Sequence, residues 1–388
     1  MRILKTIFSL LFVLLIIEAN SQSSKFNSIS KKIVNTTLQV QPGETVVISG
    51  TVPELKIMEE LYVEVAKAGG KPTMEIIVPK ANKRAIMESH IDFLKIPDTY
   101  YLFKIRAVDC FINVTSVQDP DLLSDVPEEK LAFVRQSNQL VNKQLRNASF
   151  RSVTLGQVGG IPTIAYSESF GAKYDDMINM FWNAVDTDYD ALLKKGMDVT
   201  KALVSGSTAI LTTPSGTNLT FKIGDSGART NCGRNDETIG NRGPSNTWLP
   251  AGEAYVSIDP SSANGTLVVP SLRFRNIQID NLKLTFRYGQ LISLKASTNE
   301  EVLKKALQLA TGMKDVLSLL DIGINPQSKP INGSDYLSYE MGGIITLGIG
   351  NNLWAGGKID SDFGTEFHLK EASLKVDGKD IVVSGILQ

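Results

Sequence analysis

Three aspartates at alternate positions, Asp186, Asp188 and Asp190, have the carboxylate spacing that opens a calcium-binding loop. Such a loop also needs glycine at its sixth position and glutamate at its twelfth, and here those are Ala191 and Met197. A solvated helix start is the better reading. The glycines of GIGNN (348–352) suggest a phosphate cradle, but no Lys-Ser/Thr pair follows, which leaves a tight turn after a strand. The only histidines are His90 and His368, and neither lies beside a nucleophile motif, so Ser-His-Asp catalysis is unsupported. Cys110 stands in the apolar run AVDCFINV and reads as a buried thiol, whereas Cys232 stands in the polar segment RTNCGRND. A buried thiol plus a loop thiol is the simpler reading, and a bridge between them stays open.

The elements that must position any site change character halfway along the chain. Strands are expected at 45–49, 74–78, 107–114 and 152–158, with helices from Pro53 and over 127–146 between them. The first helix shows helical spacing of Leu55, Met58, Leu61, Tyr62, Val65 and Ala66, and Gly69-Gly70 stops it. Strand, helix, glycine stop and strand make a parallel βαβ unit with a right-handed crossover. A long helix or helix pair over 174–204 closes this half.

The second half is richer in strands. Runs at 209–213 and 219–223 flank the turn Pro214-Ser215-Gly216-Thr217, and further strands are expected at 254–258, 266–269, 282–286 and 291–295. Thr298 and Glu301 have the spacing of a capping box for a helix whose buried stripe is Val302, Ala306, Leu309, Val316 and Leu319. Strands at 344–347 and 366–369 and a hairpin turned at Asp377-Gly378 end the chain. The expected fold is therefore α/β: a doubly wound parallel-sheet domain over 22–204, then a strand-rich α+β domain over 205–388.

Residues 1–21 have the order of a cleavable signal peptide. Arg2 and Lys5 precede an apolar run over 6–17, with Ala19 and Ser21 before a cut ahead of Gln22. The run is shorter than the roughly 20 apolar residues of a membrane span. Export to a secreted or periplasmic location is expected, with no membrane association after signal removal. The 40 basic and 41 acidic residues leave no field that would attract nucleic acid.

The most informative segments lie after Trp248: PAGE (250–253), DIGINP (321–326), EMGG (340–343), GGK (356–358) and SDFGTEFHLK (361–370). In this order and spacing, together with QPGETVVISG (41–50) and GTNLTFKI (216–223), they resemble the aminopeptidase T family of dimeric metalloaminopeptidases. The resemblance implies a homodimeric two-metal hydrolase that removes N-terminal residues from peptides, its cations polarising the scissile carbonyl and acidifying the attacking water. It assigns Glu253 and Asp321 as metal ligands, Asp321 standing where the family has glutamate. The family's first histidine position falls on Thr346, and its His-x-Asp pair falls on Gly364 and Glu366. His368 lies two residues past Glu366 on the same strand face and is the one imidazole at hand.

The divalent metal is then Zn, Co, Mn or Mg, and an all-oxygen set of Glu253, Asp321 and Glu366 favours the hard cations, calcium among them. The leading reading is an exported metalloaminopeptidase-like hydrolase with a degraded metal site. The alternative is an inactive binding or scaffolding protein on the same fold. A third, an iron-dependent ring-cleaving dioxygenase, comes from a dihydroxypyridine dioxygenase group that resembles the same family, but its chemistry uses two histidines and a carboxylate.

Overall fold

A computed structural model describes residues 25–146, 148–156, 160–235, 245–275, 277–331, 334, 336 and 338–388. The expected signal peptide at 1–21 lies outside the described residues. The chain forms two compact units, one of Met1–Tyr166 with Arg242–Leu249, the other of Ser167–Asn241 with Pro250–Gln388. This differs from a division at 204/205. Helices α5 (Tyr174–Val185) and α6 (Tyr189–Thr200) belong to the second unit. The missing side chain of Gly196 lets α6 lie directly on Thr230 of that unit.

The first unit is built on four consecutive parallel strands, β1 (Thr45–Thr51), β2 (Lys71–Ile77), β3 (Cys110–Val114) and β4 (Arg151–Leu155). A fifth strand, Ser245–Leu249, pairs in parallel with β4 and gives the order β2-β1-β3-β4-fifth. This strand was not anticipated, because the polar segment before it carries no strand pattern. Helix α1 (Leu55–Lys67) buries Ile57, Met58, Leu61 and Val65, close to the expected stripe. Helices α2 (Pro79–Glu88), α3 (Thr99–Ala107) and α4 (Glu128–Arg146) complete the connections. At the start of the sheet the Arg151 guanidinium bonds Glu44 (2.5 Å) and Cys110 Sγ (3.2 Å). Burial pushes the Cys110 thiol up to about 11.

In the second unit two antiparallel sheets are formed. One has eight strands and includes β5 (Thr208–Thr212), β6 (Asn218–Lys222) and the C-terminal hairpin over 373–387. The other has five: β7 (Arg229–Asn231), β9 (Glu253–Ser257), β13 (Leu317–Gly323), β14 (Ile345–Gly350) and β15 (Gly364–Leu369), numbered so that Ser245–Leu249 is β8 and the three strands over 264–295 are β10 to β12. Its order is β15-β14-β13-β9-β7.

Two expectations fail here, for related reasons. Helix α7 (Glu300–Leu309) has no capping box: the Thr298 hydroxyl bonds Asp280 Oδ2 (2.9 Å) and receives the Asp280 N–H (3.0 Å). It also stops at Leu309, which is exposed, and the residues from Leu317 form β13, every one of them buried. LSLLDIG is a continuous apolar run, which helix and buried strand share, and the strand wins because both its faces are covered. Asp321 is therefore within a strand and does not follow directly on a helix. Cys232 is buried as well, and no disulfide joins it to Cys110. No helix among the described residues is long and apolar enough to cross a membrane.

Candidate functional site

Strand alternation divides the five-stranded sheet into two unlike faces. One carries Ala254, Val256, Leu320, Ile322, Ile345, Leu347 and Phe367, all buried. The register fixes the other. Asp321 pairs with Tyr255 on one side and Thr346 on the other, and Thr346 pairs with His368. Tyr255 in turn pairs with Arg229, so Arg229, Tyr255, Asp321, Thr346 and His368 form one row across the sheet. Glu253, opposite Gly323 and Asn231, lies one step to one side of that row, and Glu366, opposite Gly348, lies one step to the other. Paired residues project to the same face, so Glu253, Asp321, Glu366 and His368 share it.

A fourth carboxylate joins them from outside the sheet. Glu340 ends the turn Ser338–Glu340, which packs against the end of β13 where Gly323 has no side chain. A Cβ at Gly323 would fall on the carbonyl oxygens of Met341 and Tyr339. Backbone bonds from Asn325 N to Glu340 O (2.9 Å) and from Gly343 N to Gly323 O (2.9 Å) fasten the turn. Asn325 fastens the neighbouring loops. Its amide donates to the Ala184 (3.0 Å) and Ala251 (2.6 Å) carbonyls, and its Oδ1 receives the N–H groups of Gln327 and Ser328. Asn352 of GIGNN bonds Ser318 O (2.8 Å) and Ile359 N (2.9 Å), so that segment is a strand end and turn.

The electrostatics are those of crowded acids. Asp321 and Glu340 are buried, and burial, reinforced by the Glu253 charge, raises both well above the usual carboxylate range. Glu366 is raised by burial. Tyr339, raised by burial and the neighbouring carboxylates, has its ring 5.7 Å from that of His368. Both Glu340 oxygens and Asp321 Oδ1 are buried with no hydrogen-bond partner among the described residues. Buried polar atoms are almost always partnered, and a carboxylate in this state takes up either a proton or a cation. The donor set therefore suits a hard cation in its chemistry.

Its geometry is looser. No three His, Cys, Asp or Glu side chains among the described residues are arranged to hold a metal ion. Strand spacing explains this: the Cα atoms of Asp321 and Glu253 are roughly 8 Å apart, and those of Asp321 and Glu366 roughly 12 Å. His368 Nδ1 and Thr346 Oγ1 share a hydrogen bond (2.9 Å), so the imidazole stands beside the family's first histidine position, reached from the neighbouring strand. No bulge interrupts the β14–β15 register that would move it toward Glu366.

Glu340 opens EMGG, and nothing local in the sequence gives it a role. Its signal is the short turn between a buried acidic strand and the next strand. Arg229 and Tyr255 were missed because β7 is three residues long and Tyr255 reads as core. The Asp186-Asp188-Asp190 run is a helix start: Asp188 caps α6 by accepting from Asp190 N and Ala191 N.

The sequence profile of the thermophilic metalloprotease (M29) family matches residues 22–341. That span contains Glu253, Asp321 and Glu340 and stops before Thr346, Glu366 and His368. AmpT from Thermus thermophilus has a similar structure at TM-score 0.69 and 13% identity, over 94% of this chain and 99% of that one. A 2,5-dihydroxypyridine dioxygenase from Pseudomonas putida is similar at TM-score 0.61 and 12% identity, over 94% and 97%. At these identities the likeness shows a shared fold. No curated protein matches the sequence.

Proposed function

The chain belongs to the thermophilic metalloprotease (M29) family, and from that premise we propose that it is a metalloaminopeptidase-like peptide hydrolase using a hard divalent cation. The observation that supports this reading most is the set of buried, unpartnered oxygens on Asp321 and Glu340 beside Glu253. Glu253, Asp321, Glu340 and Glu366 are the residues that would hold the cation. When bound, it would polarise a scissile carbonyl and lower the pKa of an attacking water. With no imidazole at Thr346, the donor set prefers Mg²⁺, Mn²⁺ or Ca²⁺ to Zn²⁺ or Co²⁺. The acidic face itself favours the ammonium group of a peptide N-terminus. In this reading residues 1–21 direct export to a secreted or periplasmic location, and the mature chain is a homodimer.

One observation favours a second reading, a peptide-binding protein without turnover: His368 is engaged with Thr346, and no three ligands converge among the described residues. Metal content decides between them. The mature protein is incubated with Zn²⁺, Co²⁺, Mn²⁺, Mg²⁺ or Ca²⁺, dialysed, and analysed for metal while amino-acid release from short peptides is followed. Retention of about one or two ions per chain, with release abolished in Asp321→Asn and Glu340→Gln, is the expected result. Peptide binding in calorimetry with neither metal nor release would establish the second reading, and absence of all three would sink both.

A further inference from the structure

The parallel sheet of the first unit holds a second site unrelated to the acidic face. Its order, with β2 and β3 on either side of β1, places a topological switch point between β1 and β3. In open α/β sheets, ligands bind at the carboxyl ends of the strands at such a point. A cavity of about 460 Å³ lies there, reached by the segments that follow β1, β2 and β3. Its walls are apolar and include Pro53, Ile77, Val117 and Leu122. Three more of its residues, Val52, Val78 and Leu123, are 55%, 47% and 44% exposed. Large side chains left this open around one concavity are the usual lining of a small-molecule pocket.

The polar end of the pocket has a defined hydrogen-bond direction. Gln118 Nε2 donates to Ser116 Oγ (2.7 Å), and the Thr51 hydroxyl donates to the buried Glu54 carboxylate. Ser116 Oγ and Thr51 Oγ1 are 3.3 Å apart. Because the Thr51 proton goes to Glu54, the proton between the two hydroxyls is that of Ser116. Both hydroxyl protons are then used, so the hydroxyl pair itself turns only oxygen lone pairs to the cavity, beside the second Nε2 hydrogen of Gln118. A ligand's donor meets acceptors there, backed by the Glu54 carboxylate, and the lining also carries one charge of each sign, Lys80 and Asp119.

We propose that this pocket binds a small apolar molecule ending in a neutral hydrogen-bond donor, an alcohol or a phenol, and discriminates against carboxylic acids. At the hydroxyl pair an anionic head group would find lone pairs and no proton to accept, and it would be desolvated beside Glu54. The site stands independently of the peptidase reading, since its test is a binding measurement.

The probes are 1-octanol and octanoate at neutral pH, titrated into the mature chain with labelled Val and Leu methyl groups and followed by NMR. Saturable shifts confined to Val52, Val78, Val117, Leu122 and Leu123 are expected with 1-octanol, and at least about tenfold weaker binding of octanoate, a loss of one buried hydrogen bond's size. Val52→Asp at the exposed mouth should weaken 1-octanol binding at least about tenfold with the melting temperature unchanged. Val78→Asp serves if that variant does not fold. Ser116→Ala, which removes an acceptor, should narrow the preference for the alcohol. Absent or non-saturable shifts, shifts elsewhere, octanoate binding as tight as 1-octanol, or a folded mouth variant with unchanged affinity would each overturn the proposal.

Discussion

Glu340→Gln should make the metal-free protein more stable at neutral pH. Glu340 is fully buried, both its oxygens are unpartnered, and burial with the Glu253 and Asp321 charges raises it above its usual 4.5. A carboxyl whose folded value is raised binds its proton more tightly in the native state. Its contribution is complete below the unfolded value and is lost as pH rises toward the folded one. Each pH unit in that window costs about 1.4 kcal/mol per group. Between 4.5 and 7 the ceiling for Glu340 is about 3 kcal/mol. The amide cannot ionise, and it shares with the protonated acid the cost of a buried unpaired dipole.

Urea unfolding in EDTA from pH 5 to 8 reads this directly. Wild type should lose stability across the range, and the variant should lose up to about 1.4 kcal/mol per pH unit less, standing about 1–3 kcal/mol above wild type at pH 7. Asp321 and Glu366 shift in the same direction, so the variant keeps part of the slope. The lowered carboxylates, Asp92, Asp125 and Asp225 among them, act below pH 4, outside the measured range. Equal slopes, or wild-type stability that rises from pH 5 to 8, would refute the account of the acidic face.

Other substitutions test the supports. Gly323→Ala puts a methyl group onto the Met341 and Tyr339 carbonyls and should cost about 3 kcal/mol in urea unfolding while weakening any metal retention, because Glu340 moves with its turn. Asn325→Ala leaves two carbonyls and two N–H groups without their partner and should cost about 2–4 kcal/mol. Neither cysteine should react with a thiol reagent in the native protein at pH 7, since both are buried and Cys110 is pushed up to about 11; both should react in denaturant. Fast native labelling of Cys110 would contradict the packing of Arg151 over it.

Much of this molecule was legible because short-range rules and tertiary packing agree. Helix α1 declares its buried stripe through Leu55 to Ala66 and its end through Gly69-Gly70, and β1 sits after its turn residues as written. The acidic positions Glu253, Asp321 and Glu366 were found by collinear motifs, and the register shows why those motifs are spaced so: each lands on one face of neighbouring strands. Local signals failed where a distant partner decided the outcome. Thr298 gave up its cap to Asp280, LSLLDIG became a strand only once β9 and β14 flanked it, and Cys232 was drawn into the interior from a polar segment. Glu340 was invisible as a site residue because its neighbourhood is assembled from β9, β13 and a turn.

Strand β8 gives the first unit a history in time. The sheet takes β1 to β4 in order, then waits while about 90 residues, most of them belonging to the second unit, are made before Ser245–Leu249 can pair with β4. At about 5–20 residues per second the open edge of β4 stands bare for roughly 5–20 s of synthesis. An unpaired parallel edge is a template for any extended segment nearby. A nascent chain stalled between residues 155 and 245 should therefore be the aggregation-prone species, and a helper that shields strand edges should matter most in that interval.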